Sequence, residues 1–350
     1  MTCNFQHIIQ NGLCVHYLDN AMDQPLCLRS EQWFCTEYNK KEEDSMDKDD
    51  EKYYMDTISP SGYTSFCHCR QAWYFSYIKE LSLRKRHLPL PIKLGAIWDS
   101  FQTSIYNSTH FTPKDLMDAC DAYDLDDYSA AKLFALVRGW HKMGFEIDVT
   151  GAKTQAEFHY THDTFCFHGF VDVLYPTYFI ENKLSGSPDR FRSPFNTYDQ
   201  LGIYFLAHPA CDHAIIRAVR APQLKPKKLE DTEAFRDRIF ADILSRPSFY
   251  FMGYDRKAAT FGIKFWRSEY DFNMLARDFG NVHADMTACR ADNTLCYQDK
   301  LSCNVPAQCM YLPICQTGGV NGDLYMVKGE ASCEGEDNNN NNNQKEEGEV

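Results

Sequence analysis

The feature that most constrains the fold is a set of three short runs, each rich in aromatic and β-branched residues, in the middle of the chain. Two-residue breaks, His162-Asp163 and Pro176-Thr177, separate them. Runs of this length between turn residues are typical of successive antiparallel strands. The predicted strands are 156–160, 164–174 and 178–183. A helix at 198–207, a strand at 213–219 and helices at 232–244 and 271–289 follow, and this order predicts a mixed α/β domain.

Helical signals precede the strands. Ser59-Pro60 is a capping residue followed by proline at the first helical position, so a helix is expected to start there and to run through the aromatic stretch 62–81. A second helix is predicted from about Leu94 through Trp98 to Ile105. The sequence 112–115, Thr-Pro-Lys-Asp, is of the capping-box type, with helical patterns continuing to about residue 143.

The charge of the chain is concentrated in two segments. Of the net charge of −13, residues 41–52 carry −4 and residues 330–350 carry −6, which leaves −3 for the rest. The acidity therefore does not exclude a nucleic-acid partner. Basic runs lie at 84–87 and at Arg217, Arg220, Lys225, Lys227 and Lys228, although such runs are most often solvated surface.

Composition also predicts how the chain is divided. We expect an accessory N-terminal segment with an acidic linker at 1–56, a main domain at 57–320 and a disordered acidic, asparagine-rich tail at 321–350. No window approaches the ~18 apolar residues that span a bilayer, and residues 1–13 lack the pattern of a secretion signal. The expectation is an intracellular protein without a membrane partner.

The chemistry-bearing block is His-Gly-Phe-Val-Asp at 168–172, followed by Glu181-Asn182-Lys183. On a strand, Glu181 and Lys183 share one face, and Asp172 on a neighbouring strand can meet Glu181 across the pair. Two converging carboxylates suit Mg²⁺ or Mn²⁺. A lysine beside them can help deprotonate a water or offset charge on a phosphate. The alternative is an exposed cross-strand ion pair, which is common for so short a pattern.

The order of these motifs resembles the PD-(D/E)XK nucleases, in their RecB-like branch. Gly169-x-x-Asp172, a nine-residue step to Glu181-x-Lys183, and Gln200-x-x-x-Tyr204 are similar to the nuclease core. The segments 59–74 and 94–99 are similar to the opening helices of the CRISPR-adaptation exonucleases and related phage proteins. The resemblance covers roughly 57–318. It implies a restriction-endonuclease-like α/β core, a mixed sheet flanked by helices, with a helical N-terminal part and a C-terminal cysteine segment.

The resemblance also implies roles for single residues. Asp172, Glu181, the main-chain carbonyl of Asn182 and Asp99 would ligate the metal, although Asp99 stands where that branch usually has histidine. Lys183 would be catalytic.

Gln200 would contact the substrate phosphate or position Lys183. Tyr204 would lie beside the active site and bind substrate, although a helix face packed on the sheet suits Tyr204 better than it suits Gln200. Arg217 and Arg220 belong to the basic runs, which are expected to hold the DNA strand. Glu157 sits where relatives often carry a further acid, but an exposed strand residue is the favoured interpretation.

Fifteen cysteines, an odd number, indicate reduced thiols rather than a disulfide scaffold. Cys303, Cys309 and Cys315 are clustered among prolines and need a fourth ligand. AddB-type iron–sulfur nucleases resemble this arrangement, with one cysteine in the opening helix and three after the core. By that resemblance Cys69 completes a 4Fe–4S site, with Cys67 as its rival. A Zn²⁺ site and free thiols are the alternatives.

The resemblance thus implies a Mg²⁺- or Mn²⁺-dependent deoxyribonuclease, an exonuclease on single-stranded ends in DNA recombination or repair, with a helicase or recombination partner. A nuclease-derived scaffold that binds DNA or a helicase without cutting is the alternative, and a zinc-stapled interaction protein is a third. Metal-dependent turnover and iron absorbance distinguish the three.

Overall fold

The computed structural model describes residues 5–10, 13–18, 57–163, 165–193, 197–304 and 308–328. In chain order the strands are β1 (Phe5–Gln10), β2 (Leu13–Leu18), β3 (Leu81–Leu83), β4 (Lys153–His162), β5 (Phe165–Leu174), β6 (Tyr178–Ser185), β7 (His213–Arg220), β8 (Ile263–Trp266) and β9 (Tyr325–Val327). The α-helices are α1 (Pro60–His68), α2 (Arg70–Trp73), α3 (Leu90–Tyr106), α4 (Pro113–Ala122), α5 (Asp127–Met143), α6 (Tyr198–Ala207), α7 (Thr232–Ser245), α8 (Pro247–Tyr250), α9 (Phe272–Ala291) and α10 (Leu312–Thr317). Strands β1 and β2 form an antiparallel pair.

A five-stranded mixed sheet in the order β4-β5-β6-β7-β8 lies at the centre of the main domain. Strands β4, β5 and β6 are antiparallel neighbours, as predicted. Strand β7 is parallel to β6, with α6 in the connection between them, and β8 is antiparallel to β7. The expected α/β fold with a mixed sheet flanked by helices is therefore confirmed.

Helices cover both faces of this sheet. Phe179 of β6 packs in one core cluster with residues of α1, α6 and α9, including Tyr63, Leu201 and Phe279. Its neighbour Ile180 points the other way and packs with Tyr106 of α3. Side chains alternate along a strand, so the sequence of β6 has to be apolar at both positions.

The aromatic stretch that predicted one helix over 62–81 forms several shorter elements. Ser59 caps α1 as expected, its hydroxyl accepting the Gly62 N–H at 2.9 Å. The helix ends at His68, because Cys69 is extended, with φ −160°. Helix α2 and a π-helical turn, Tyr74–Ile78, follow. The prediction of an unbroken helix was wrong. At the break between α1 and α2, the backbone of Cys69 is extended rather than helical.

Strand β5 has an irregularity beside Asp172. Val171 and Leu174 pack in the same core cluster, although regular alternation would put them on opposite faces. The β4–β5 ladder is interrupted between the pairs Thr154–Val173 and Ala156–Val171, where Gln155, which has φ +44°, and Asp172 are not paired. Beside this interruption, Asp172 lies next to Glu181.

The ordered domain extends beyond the boundary predicted at residue 320. Strand β9 pairs with β3, and Tyr325 is 2% exposed. Its hydroxyl donates to the Met310 carbonyl at 2.6 Å, and its ring lies against Tyr311. The expectation of disorder from residue 321 was therefore wrong for 321–328. Residues 329–350 and 19–56 lie outside the described residues.

No helix in the described part of the chain is both long enough and apolar enough to cross a membrane.

Candidate active site and cysteine cluster

Asp172 and Glu181 meet where β5 and β6 diverge. The paired residues Val173–Ile180 and Leu174–Phe179 set a register in which Asp172 and Glu181 come next. Instead of continuing the ladder, the Asn182 N–H donates to Asp172 Oδ2 at 2.8 Å. The side chain of Asp172 thus replaces a backbone acceptor, which holds its carboxylate beside Glu181.

The two carboxylate oxygens of Glu181 have different surroundings. Oε1 accepts from Lys183 Nζ and, at 2.8 Å, from Gln200 Nε2. Oε2 is buried and has no hydrogen-bond partner among the described residues. A buried carboxylate oxygen without a donor is costly, because desolvation is not repaid. A hard cation at Oε2 would remove that cost.

The electrostatics show that Asp99 and Lys183 belong to the same cluster. Burial and the charge of Glu181 raise the pKa of Asp172 well above its ordinary value, and they also raise the pKa of Asp99. Burial alone would lower the pKa of the Lys183 ammonium, but the carboxylates of Glu181 and Asp172 outweigh it and raise that pKa. Three acids around one ammonium leave an excess of negative charge, which suits a divalent cation.

Helix α6 supports the cluster from one side. Gln200 Nε2 donates to Glu181 Oε1 and to the Tyr204 hydroxyl, at 2.8 and 2.9 Å. Tyr204 is 3% exposed, and its ring packs on Phe158 and Phe179. Gln200 lies at the cluster, as predicted. The assignment of Tyr204 to substrate binding was wrong, because its side chain is buried beneath Gln200.

The structure does not bring the two predicted arginines to the carboxylates. Arg217 is 8% exposed, and its guanidinium donates to the Tyr106 hydroxyl on the face opposite Glu181. Arg220 donates to the Gly186 and Phe249 carbonyls, both at 3.0 Å, and pairs with Asp189. Both side chains hold neighbouring segments together. Their assignment to substrate binding is therefore corrected.

A cleft of about 440 Å³ opens next to Lys183 and Gln200. Its opposite wall is α1, which presents polar side chains one turn apart: Ser61, Thr64, Ser65 and His68. No functional role was predicted for these residues from the sequence. Their spacing of three and four along a helix was the available signal, since it places them on one face.

The four predicted cysteines converge from the two ends of the domain. Burial and the nearby thiols of Cys309, Cys69 and Cys303 raise the pKa of Cys315. The Cys309 N–H also donates to the Cys303 carbonyl at 2.8 Å. Cys67 is exposed, and the side chains that influence the pKa of its thiol are Tyr63, Asp199 and Arg70 rather than the other three cysteines. Of the two rivals, Cys69 is the one placed with the other three thiols.

The spacing of these thiols bears on which metal centre they fit. Tetrahedral zinc with Zn–S bonds of about 2.3 Å holds its thiolates about 3.8 Å apart. Among the described residues, no three of the four thiols lie within 4.8 Å of one another. A 4Fe–4S cluster separates its ligands more widely, because iron and sulfide lie between them. Both a Zn²⁺ and a 4Fe–4S centre take four thiolates, so the donor set of these four cysteines fits either.

Glu157 lies away from the carboxylate cluster. Phe158 of β4 points into the core, so Glu157 is on the opposite face of the strand, where its Oε1 lies 2.8 Å from His168 Nε2. This position agrees with the interpretation of Glu157 as an exposed strand residue and not as a further acid of the site.

Comparison of the chain with protein-family models, with curated proteins and with solved structures found no match in any of the three.

Proposed function

We propose that this protein is a metal-dependent deoxyribonuclease with a PD-(D/E)XK-type core. The observation that carries the proposal is Glu181, a buried carboxylate with one oxygen free of donors, set among Asp172, Asp99, Lys183 and Gln200 at the wall of a cleft. Acids, a lysine and a glutamine in this arrangement suit the hydrolysis of a phosphodiester.

Asp172 and Glu181, with Asp99 and the main-chain carbonyl of Asn182, would hold Mg²⁺ or Mn²⁺. The bound ion would supply an activated water and a Lewis acid toward the phosphate. Lys183, held by Glu181 and 28% exposed at the cleft, offsets the negative charge that grows on the phosphate. Gln200 holds Glu181 in orientation through Oε1, which leaves Oε2 for the ion.

The cleft supports a nucleic-acid strand as the substrate. Hydroxyl groups on α1 face Lys183 and Gln200 across it, and hydroxyls are common donors to backbone phosphates. The preference for single-stranded ends, the exonuclease mode, the role in recombination or repair and a helicase or recombination partner follow from the resemblance alone. Cys69, Cys303, Cys309 and Cys315 would hold a 4Fe–4S cluster with a structural role.

The test is cleavage of end-labelled single-stranded DNA by anaerobically purified protein, with Mg²⁺, Mn²⁺ or EDTA. We expect metal-dependent degradation that falls by at least about 100-fold in Lys183→Ala and in Glu181→Gln. Glu233→Gln is the matched control: it changes an exposed acid of α7 that lies outside the cluster, and it should cleave normally.

Retained cleavage in both site variants would overturn the proposal. DNA binding without metal-dependent cleavage by the unaltered protein would support the scaffold function instead, in which the fold holds DNA or a helicase without cutting.

A further inference from the structure

A second group of potential metal ligands lies on the outer face of the β4–β5 pair. His159 and His168 are direct partners in the register, and Glu157 lies two residues before His159 on the same face. The two imidazole rings stack with centroids 4.3 Å apart and planes 9° apart. Glu157 Oε1 lies 2.8 Å from His168 Nε2 and 3.7 Å from His159 Nε2.

The three donor atoms already occupy one small volume. All lie within 4.8 Å of one another, and among the described residues no other group of three or more His, Cys, Asp or Glu side chains has its donor atoms so close together. The β4–β5 ladder is continuous from Glu157–Phe170 through His159–His168. The paired backbones therefore fix the Cα positions of the three ligand residues. A site built on paired strands needs little rearrangement to bind an ion.

We propose that Glu157, His159 and His168 bind a divalent transition-metal ion of the zinc class. Two imidazoles and one carboxylate are a ligand set that Zn²⁺ takes in proteins, whereas Mg²⁺ prefers oxygen ligands alone. The side chains are 56%, 56% and 37% exposed, which lets an ion enter from solvent and leaves a fourth position for water. The site is separate from the carboxylate cluster, from which it is divided by the sheet.

Metal at this site would also brace the strands beside the interruption of the β4–β5 ladder. Glu157 is two residues from Gln155 and His168 is four residues from Asp172, and Gln155 and Asp172 are the two residues left unpaired there. Because the three ligands come from both strands, a bound ion would tie β4 to β5 a few residues before Asp172, whose carboxylate lies beside Glu181. We therefore expect zinc to raise the melting temperature of the protein, since an ion that binds the folded state stabilises it.

The experiment is a zinc titration of the full chain, with its cysteine centre loaded, followed at ¹³C-labelled histidines by NMR. Readout at the histidines separates this site from zinc bound by thiolates. Signals of His159 and His168 should change and saturate near one equivalent, while that of His162 on the same strand stays unchanged. Zinc-edge anomalous diffraction from a soaked crystal should show a peak between the three side chains.

Matched variants decide the assignment. His159→Ala and Glu157→Gln should each weaken zinc binding at these histidines by at least tenfold and abolish the rise in melting temperature, while His162→Ala should do neither. Binding that is unchanged in both variants would overturn the proposal. So would His159 and His168 signals that respond to pH but not to zinc, because they would show a plain ion pair between Glu157 and a protonated histidine.

Discussion

At the scale of one residue, the two carboxylate oxygens of Glu181 differ in their hydrogen bonds although both belong to a buried side chain. Its side chain is 2% exposed, and only Oε1 receives donors, from Lys183 and Gln200. The two donors fix the carboxylate plane and leave Oε2 directed at nothing among the described residues. A buried carboxylate oxygen without a donor costs stability, and the metal that we propose at this site would restore it.

Gln200 contacts Glu181 and Tyr204, so substitutions at 200 and 204 should lower the cleavage rate by different amounts. Gln200→Ala removes the donor that orients the carboxylate, and we expect cleavage to fall about 10–100-fold, as for other groups that orient metal ligands. Tyr204→Phe removes only the acceptor behind Gln200 and should cost several-fold at most.

The cleavage rate of both variants should be measured against Mg²⁺ concentration. A weaker apparent metal affinity in Gln200→Ala is the result that a positioning role requires. An equal effect of the two substitutions, with metal affinity unchanged, would contradict it.

At the scale of elements, the contact between α1 and β5 shapes the cleft. Gly169 lies on β5 beneath Pro60, the first residue of α1, and beside the ring of Phe158. A side chain at 169 would push α1 away from the sheet, and α1 carries one wall of the cleft. The small residue is needed because the helix and strand approach so closely.

A matched pair of substitutions tests this packing. In Gly169→Ala the new Cβ would lie 2.9 Å from Pro60 Cδ and 3.1 Å from Phe158 Cζ, and we expect a loss of about 1–3 kcal/mol in the free energy of unfolding. In Gly95→Ala, on α3, the new Cβ meets no atom within 4 Å. That variant should gain about 0.5–1 kcal/mol, because alanine restricts the unfolded chain and favours helix.

Urea denaturation of both variants measures the two effects. Midpoints that move in the same direction would show that the contact at Gly169 is not tight.

At the scale of the whole molecule, the cysteine cluster joins segments more than two hundred residues apart. Cys69 sits at the break between α1 and α2, and the other three thiols follow α9. A centre that bridges them closes a long loop and so removes entropy from the unfolded chain, by roughly 5 kcal/mol on the scale used for covalent cross-links.

Cys69→Ser should therefore abolish bound iron and lower the melting temperature sharply. Cys67→Ser is the control: it makes the same exchange two residues away, at an exposed thiol that the structure places outside the cluster. Iron content, absorbance near 400 nm and melting temperature should be read on one anaerobic preparation of each variant. Full iron retention in Cys69→Ser, or its loss in Cys67→Ser, would reverse the assignment.

The C-terminal strand should matter to the stability of the domain. A chain that ends at residue 320 loses Tyr325 from its place against Leu81 and Tyr311, as well as the Lys328 contacts to Ser76. We expect it to lose at least about 2 kcal/mol of unfolding free energy. A chain that ends at residue 328 keeps all of these contacts and should melt like the full protein. Equal melting of the two truncations would show that β9 contributes nothing.

Local patterns in the sequence were sufficient for β4 to β7, for α6 and for the centre of the candidate site. Alternation along β6 put Glu181 and Lys183 on one face, and the short connection from β5 brought Asp172 beside them. Helical spacing placed Gln200 and Tyr204 on one face of α6. These features depend on contacts between residues close in sequence or joined by a short turn, and periodicity reports such contacts directly.

Tertiary structure alone decided which side chains are free to act. The side chains of Tyr204 and Arg217 are buried, and that of Arg220 donates to neighbouring carbonyls. Helix α1 forms one wall of the cleft. Strand β9 also belongs to the ordered domain. Each of these outcomes depends on packing between segments far apart in the chain. The periodicity of strands and helices reports local contacts only and carries no information about such packing.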